Sequence, residues 1–95
     1  MLIVRNTFTA RPGMAQKLAR LLRDTETLVG MTNARVLTDL AGDFNTVVLE
    51  HEVQELSEFE KLMKDYAERP DIRERMKGYT DLWLTGRREI LRVVE

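Results

Sequence analysis

Two polar side chains stand where the surrounding pattern is apolar. Asn6 falls on the same face of an alternating segment as Leu2, Val4 and Phe8, and His51 shares a face with Val47, Leu49 and Val53. A buried amide must find hydrogen-bond partners. Asn6 therefore either satisfies backbone groups at a bulge or helix end, or lines a pocket and orients a ligand. A lone histidine is either a satisfied core residue or a general base within reach of a substrate proton. If their strands are neighbours, Asn6 and His51 face one cavity and form the candidate catalytic pair. Tyr66, Tyr79 and Trp83 carry polar tips on apolar bodies and recur at helical spacing. They are either core packing or the walls of that cavity, where hydroxyl and indole groups would fix a planar small molecule.

Other chemistries find few residues to carry them. Cysteine is absent, so there is no thiolate nucleophile and no disulfide framework. A single histidine with no cysteine or carboxylate on its face makes a poor metal site, and no metal is expected. No P-loop or dinucleotide fingerprint is present, and no cofactor is expected. The 15 basic and 16 acidic residues leave a net charge of −1. The run from Lys61 to Lys77 mixes both signs and reads as a solvated helical surface, so nucleic acid is not an expected partner. No apolar run approaches the roughly 20 residues of a membrane span, and Met1 to Arg11 has no signal-peptide core. With no cysteine, a reducing cytoplasmic location is the expectation.

The elements that would position these residues follow from periodicity. Leu2 to Arg11 alternates as a half-buried strand until Pro12-Gly13 breaks it. Met14, Leu18, Leu21, Leu22, Thr25 and Leu28 keep helical spacing, and Gly30 suits a C-cap. Arg35 to Leu40 and Phe44 to Val53 read as strands joined by a tight turn at Ala41-Gly42-Asp43, a hairpin. Ser57 and Glu60 look like a capping box opening a helix through Leu62, Met63 and Tyr66. Pro70 interrupts. Asp71 can cap a further helix through Ile72, Met76, Tyr79, Leu82 and Trp83 that ends at Gly86. Arg88 to Val94 alternates again as a closing strand.

This order is β-α-β-β-α-β, an α+β ferredoxin-like layout spanning residues 1–95 with an antiparallel sheet. The first and third strands should be central, with helices on one face. Val48, Ile90 and Val94 are expected on the other face, too apolar to be left in water. Arg5, Glu50, Glu52 and Arg92 are expected there too, as cross-strand or cross-dimer ion pairs or as a polar site. A second copy packed by a two-fold contact would cover such a face, so the expected partner is the chain itself, as a homodimer.

Val4-Arg5-Asn6-Thr7-Phe8 with Arg11-Pro12-Gly13, the stretch Arg35 to Leu40, and Gly86-Arg87-Arg88-Glu89-Ile90-Leu91 resemble bacterial NIPSNAP-type proteins. That family belongs to the dimeric α+β barrel superfamily, with the antibiotic-biosynthesis and heme-degrading monooxygenases. The resemblance covers nearly the whole chain. It implies the dimeric barrel but no assigned reaction; a cofactor-independent monooxygenase-like activity is one expectation, a non-enzymatic sensing or scaffolding module the other. Heme-degrading relatives use a first-strand asparagine, a tryptophan and a helical histidine. Asn6 matches the first, whereas the segment Asp71 to Leu84 holds no histidine, and no tryptophan comes directly after the third strand, Trp83 lying much later.

Overall fold

A computed structural model describes residues 1–95. The strands are β1 (Leu2–Ala10), β2 (Thr32–Thr38), β3 (Thr46–Val53) and β4 (Trp83–Arg92). The helices are α1 (Ala15–Val29), α2 (Leu56–Glu68) and α3 (Pro70–Arg75), with one 3-10 turn at Tyr79–Asp81. The sheet order is β2-β3-β1-β4, and all three pairings are antiparallel. This is the ferredoxin-like α+β arrangement, with β1 and β3 central as that layout requires.

One face of the sheet makes the core. Val4 and Ala10 of β1 and Val47, Leu49 and Val53 of β3 are buried, as are Leu18 and Leu22 of α1, Ile72 of α3, Met76 and Leu82. Helix α1 ends where expected, because Gly30 adopts φ 76° and donates its N–H to the Glu26 carbonyl. That conformation is open to glycine at no steric cost.

Several boundaries differ from those the pattern suggests. Strand β2 starts at Thr32, ahead of Arg35, and ends at Thr38; Asn33 at φ 46° marks an irregularity in its pairing. Strand β3 starts at Thr46 because Asn45, at φ 62°, turns the chain, leaving Phe44 in solvent. Asparagine tolerates that left-handed geometry better than other chiral residues. The hairpin closes at Thr46, whose N–H donates to the Asp39 side chain at 3.0 Å.

The expected capping box is absent. Helix α2 starts at Leu56, the Ser57 hydroxyl donates to Glu55, and Glu58 reaches back to accept the Gln54 N–H at 2.7 Å. Glu60 has no part in it.

The expected long helix to Trp83 is also overturned. Helix α3 ends at Arg75, Gly78 turns the chain at φ 81°, and Trp83 begins β4. Pro70 occupies the first turn of α3, and Asp71 lies inside the helix, accepting the Ile72 N–H at 3.0 Å. Gly86 sits within β4 and does not terminate a helix. A Cβ there would lie 3.0 Å from the Phe8 ring and 3.5 Å from the Trp83 ring. The strand therefore needs a glycine where these two aromatic rings cross it.

The face of β4 is reversed relative to expectation. Ile90 pairs with Val4 and Arg92 with Leu2, so both lie on the helix-covered side. The residues of β4 on the open side are Arg87, Glu89 and Leu91, opposite Thr7, Arg5 and Ile3. An extra residue, Leu84, between the Ala10–Trp83 and Thr9–Thr85 pairs restores this phase after the turn. Val94 lies beyond the strand and is exposed.

Candidate functional site

Register decides which chemical groups meet. On β1, Asn6 lies opposite Leu49 and Arg88, and Val4 lies opposite His51 and Ile90. Asn6 and His51 are thus diagonal neighbours on adjacent central strands, their backbones about 7–8 Å apart, and both belong to the helix-covered face. They share a face, but no principal concavity is lined by both: the one of about 280 Å³ that His51 lines is shared with Ile3, Asn33, Arg35, Glu50 and Glu52, not with Asn6.

His51 is only 1 % exposed, and its Nδ1 has no hydrogen-bond partner. Burial lowers its pKa below the ordinary imidazole value, and the Arg88 charge lowers it further; the Glu52 backbone and Glu58 oppose this less strongly. At neutral pH the ring is therefore uncharged, with one nitrogen a donor and the other an acceptor.

Asn6 is held by Arg88, whose Nε donates to Asn6 Oδ1 at 2.7 Å. The same guanidinium lies 5.3 Å above the centroid of Phe59 on α2. No carboxylate pairs with Arg88: the ion pairs of the chain are Arg5–Glu50, Arg35–Glu50, Arg69–Asp71, Arg75–Asp24 and Arg87–Glu89. The two terminal nitrogens of Arg88 make no contact with a protein acceptor and face solvent.

Tyr66, on α2, has its phenol pushed well above the ordinary range by burial, with Tyr79 adding to the effect and Arg88 opposing it. It stays protonated and can donate. Tyr79 and Trp83 meet at 6.1 Å between centroids, and Trp83 meets Phe8 at 5.4 Å. The indole Nε1 of Trp83 is buried without an acceptor. Phe8, Trp83 and Tyr79 therefore form an aromatic cluster, which Trp83 enters from the sheet and not from a helix.

The roof over this group is thin. The apolar residues Phe59, Leu62, Met63 and Tyr66 of α2 are only half-buried, Leu56 is exposed, and no residue of the helix is fully buried. An amphipathic helix normally buries its apolar stripe. Here the stripe stays half-exposed beside β4, where Asn6 is half-exposed and Arg88 is exposed. No group of three or more histidine, cysteine or acidic side chains is placed to hold a metal ion.

The sequence reading missed Arg88. With Ile90 assigned to the open face, Arg88 went with it, since strand residues two apart share a face. The available signal was the identical parity of Arg88, Ile90 and Arg92; what it lacked was an anchor for the phase of β4.

The open face carries a polar row. Glu50 sits between Arg5 and Arg35, accepting from Arg5 Nε at 2.5 Å and Arg35 Nε at 2.9 Å, and Glu89 lies opposite Arg5 on the far side. Burial alone would raise the Glu50 carboxyl, but the two arginines outweigh it and hold its pKa below the ordinary value. Beside this row is a concavity of about 540 Å³ whose lining includes Thr7, Thr9, Thr46, Val48, Leu37 and Arg87. None of the five principal concavities is lined by Asn6, Tyr66, Tyr79 or Trp83.

Comparison with solved structures matches this arrangement end to end. A NIPSNAP domain protein from Burkholderia xenovorans superposes with a TM-score of 0.84 at 15 % identity, covering 99 % of this chain and 95 % of that one. The chain has the NIPSNAP fold. A NIPSNAP family protein from Agrobacterium tumefaciens gives 0.85 at 15 % identity, covering 99 % and 93 % of the two chains. The fold extends to the antibiotic-biosynthesis group: a candidate monooxygenase of that kind from Deinococcus radiodurans gives a TM-score of 0.70 at 16 % identity, covering 100 % and 94 %. No family model and no curated protein matches the sequence. The NIPSNAP likeness read from strand and turn residues thus reappears as likeness of backbone.

Proposed function

We propose that this chain is a homodimeric small-molecule-binding protein whose NIPSNAP-like fold presents a site between α2 and the sheet, and that it acts on a planar organic substrate in the manner of a cofactor-independent monooxygenase. The observation that carries the reading is the Asn6–Arg88 contact beside a neutral, buried His51, under a helix that buries none of its residues. Asn6 and Arg88 would orient the ligand, Tyr66, Tyr79 and Trp83 would wall it, and His51 would take a proton from it. Removing a proton from an activated CH₂ group beside an aromatic ring leaves an electron-rich anion that can reduce dioxygen directly. The overall change is CH₂ + O₂ → C=O + H₂O, which balances with no other reactant. The fold likeness to the Deinococcus radiodurans protein supports this class of reaction.

The homodimer belongs to the same proposal. The open face exposes Leu37 and Leu91 beside the alternating Arg35, Glu50, Arg5 and Glu89 row. Such a face is complementary to itself under a two-fold operation.

Oxygen uptake with an anthrone or quinol substrate tests the enzyme. Turnover is expected, and it should fall sharply in Asn6→Ala and His51→Ala. Absence of turnover, or turnover indifferent to both substitutions, would overturn the enzymatic reading. In that event the chain is read as a non-enzymatic dimeric module, which the lack of a principal concavity around Asn6, Tyr66, Tyr79 and Trp83 favours.

A further inference from the structure

The open face of the sheet carries one row of alternating charge. Arg35 on β2, Glu50 on β3, Arg5 on β1 and Glu89 on β4 lie at the same level, each paired with the next across neighbouring strands. From the β2 edge to the β4 edge the signs run plus, minus, plus, minus. A second copy can cover this face about a two-fold axis that lies either across the strands or along them. An axis across the strands lays each strand over its own counterpart and sets like charges against each other. An axis along the strands reverses their order, so β2 lies over the partner's β4 and β3 over the partner's β1. Arg35 then faces Glu89 of the partner subunit, and Glu50 faces Arg5 of the partner subunit. Unlike charges meet along the whole row, so charge complementarity selects this second axis.

That axis also brings both β2–β3 hairpins to the same end of the pair. The hairpin loop holds Leu40 fully exposed and Phe44 85 % exposed. It is anchored at its base, where the Thr46 hydroxyl donates to the Asp43 carbonyl at 2.8 Å and the Ala10 N–H donates to the Asn45 carbonyl at 2.8 Å. Two large apolar side chains held in water at one fixed tip gain free energy if a partner covers them. The hairpin residues Asp39, Ala41 and Asp43 form one wall of the 540 Å³ concavity on the open face, and Thr85, Gly86 and Arg87 of β4 form the other. The tip therefore stands on the side that a second copy would cover. With β2 over the partner's β4, it arrives at the β4 wall of the partner's concavity. There Asp39 and Asp43 approach Arg87 of the partner subunit, and within each protomer Arg87 has only a long, exposed contact to Glu89 at 3.7 Å.

We infer that two copies pack about an axis parallel to the strands and exchange hairpins, each seating Leu40 and Phe44 in the concavity of its partner. This arrangement deepens the homodimer of the proposed function and rests on it.

The test is the dimer dissociation constant of the full chain and its variants, measured by sedimentation at physiological salt. Within one protomer Arg35 and Glu89 stand three strand spacings apart, about 14 Å. That exceeds the Debye length of about 8 Å, so coupling between them reports contact between copies. Arg35→Glu and Glu89→Arg should each weaken the dimer at least about tenfold, and the double variant should recover most of the loss. Leu40→Ser with Phe44→Ser should also weaken it at least about tenfold, because apolar area is withdrawn from both copies. Far-ultraviolet circular dichroism should stay unchanged, since both side chains are exposed in the single chain. A dimer indifferent to the serine pair overturns the exchange of hairpins while the homodimer stands. A dimer without coupling between Arg35 and Glu89 overturns the axis. A wild-type monomer overturns the homodimer and this inference together, and binding of that monomer to phosphatidylcholine vesicles, lost in the serine pair, would assign the tip to a lipid surface instead.

Discussion

Arg88 and Asn6 lie directly opposite each other on β4 and β1 and are joined by a 2.7 Å hydrogen bond from Nε to Oδ1. Each explains the other. Asn6 is a polar residue on an apolar face because it has an arginine to hold, and Arg88 can lie over that face because an amide and the Phe59 ring receive it. Asn6→Ala should remove the anchor and cost only about 0.5–1.5 kcal/mol of stability, since the contact is partly in water. The Arg88 Nε resonance should lose its distinct shift and begin to exchange with solvent. A stability loss without release of Arg88 would show that Asn6 acts through the backbone instead.

His51 should make stability depend on pH near neutrality. Its pKa in the folded chain lies below the ordinary 6.5. The unfolded chain therefore binds the proton first as pH falls, and the stabilisation present above pH 6.5 is lost on acidification toward the folded value. The urea midpoint should drop between pH 7.5 and 5.5. His51→Leu, which leaves nothing to protonate at this position, should flatten that drop.

Glu50 should act in a separate, more acidic window. Its folded pKa is held below the ordinary 4.5 by Arg5 and Arg35 against the effect of burial. The stabilisation is present above pH 4.5 and lost as pH falls through the folded value. Glu50→Gln should remove this acid limb and cost about 1–2 kcal/mol at pH 7, less than a fully buried pair because both arginines are partly solvated. The two stability-versus-pH curves should therefore converge as pH falls below 4.5, because only the wild type loses this contribution there.

Gly86→Ala should destabilise the chain although it lies on a strand, where alanine normally costs little. The added methyl meets the Phe8 ring at 3.0 Å and must push it against Trp83. A loss of about 1–3 kcal/mol is expected, with a changed tryptophan emission maximum. Gly86→Ala combined with Phe8→Leu should recover part of the loss.

Self-association should depend on the open face. Light scattering is expected to give twice 11.1 kDa at micromolar concentration. Leu37→Lys with Leu91→Lys places two charges where apolar side chains are exposed and should yield the monomer, with far-ultraviolet circular dichroism unchanged. A wild-type monomer would remove the homodimer from the proposed function.

Local pattern alone determined the four strands, their order and the shared face of Asn6 and His51. Period-two runs in Leu2–Ala10 and Thr46–Val53 each contain enough apolar residues to set their own phase, so β1 and β3 could be aligned without a structure. Gly30 ended α1 as written because a left-handed cap is a local requirement. What only the tertiary structure decided lies mostly between Asp71 and Arg92. Ile72, Met76, Tyr79 and Trp83 keep helical spacing, yet the Gly78 turn ends the helix early, and the same aromatic side chains reach the core from a 3-10 turn and a strand. The phase of β4 then hangs on one extra residue, Leu84, and a shift of one residue exchanges its faces. Only the pairing of β4 with β1 sets Ile90 and Arg92 on the helix-covered side and brings Arg88 opposite Asn6.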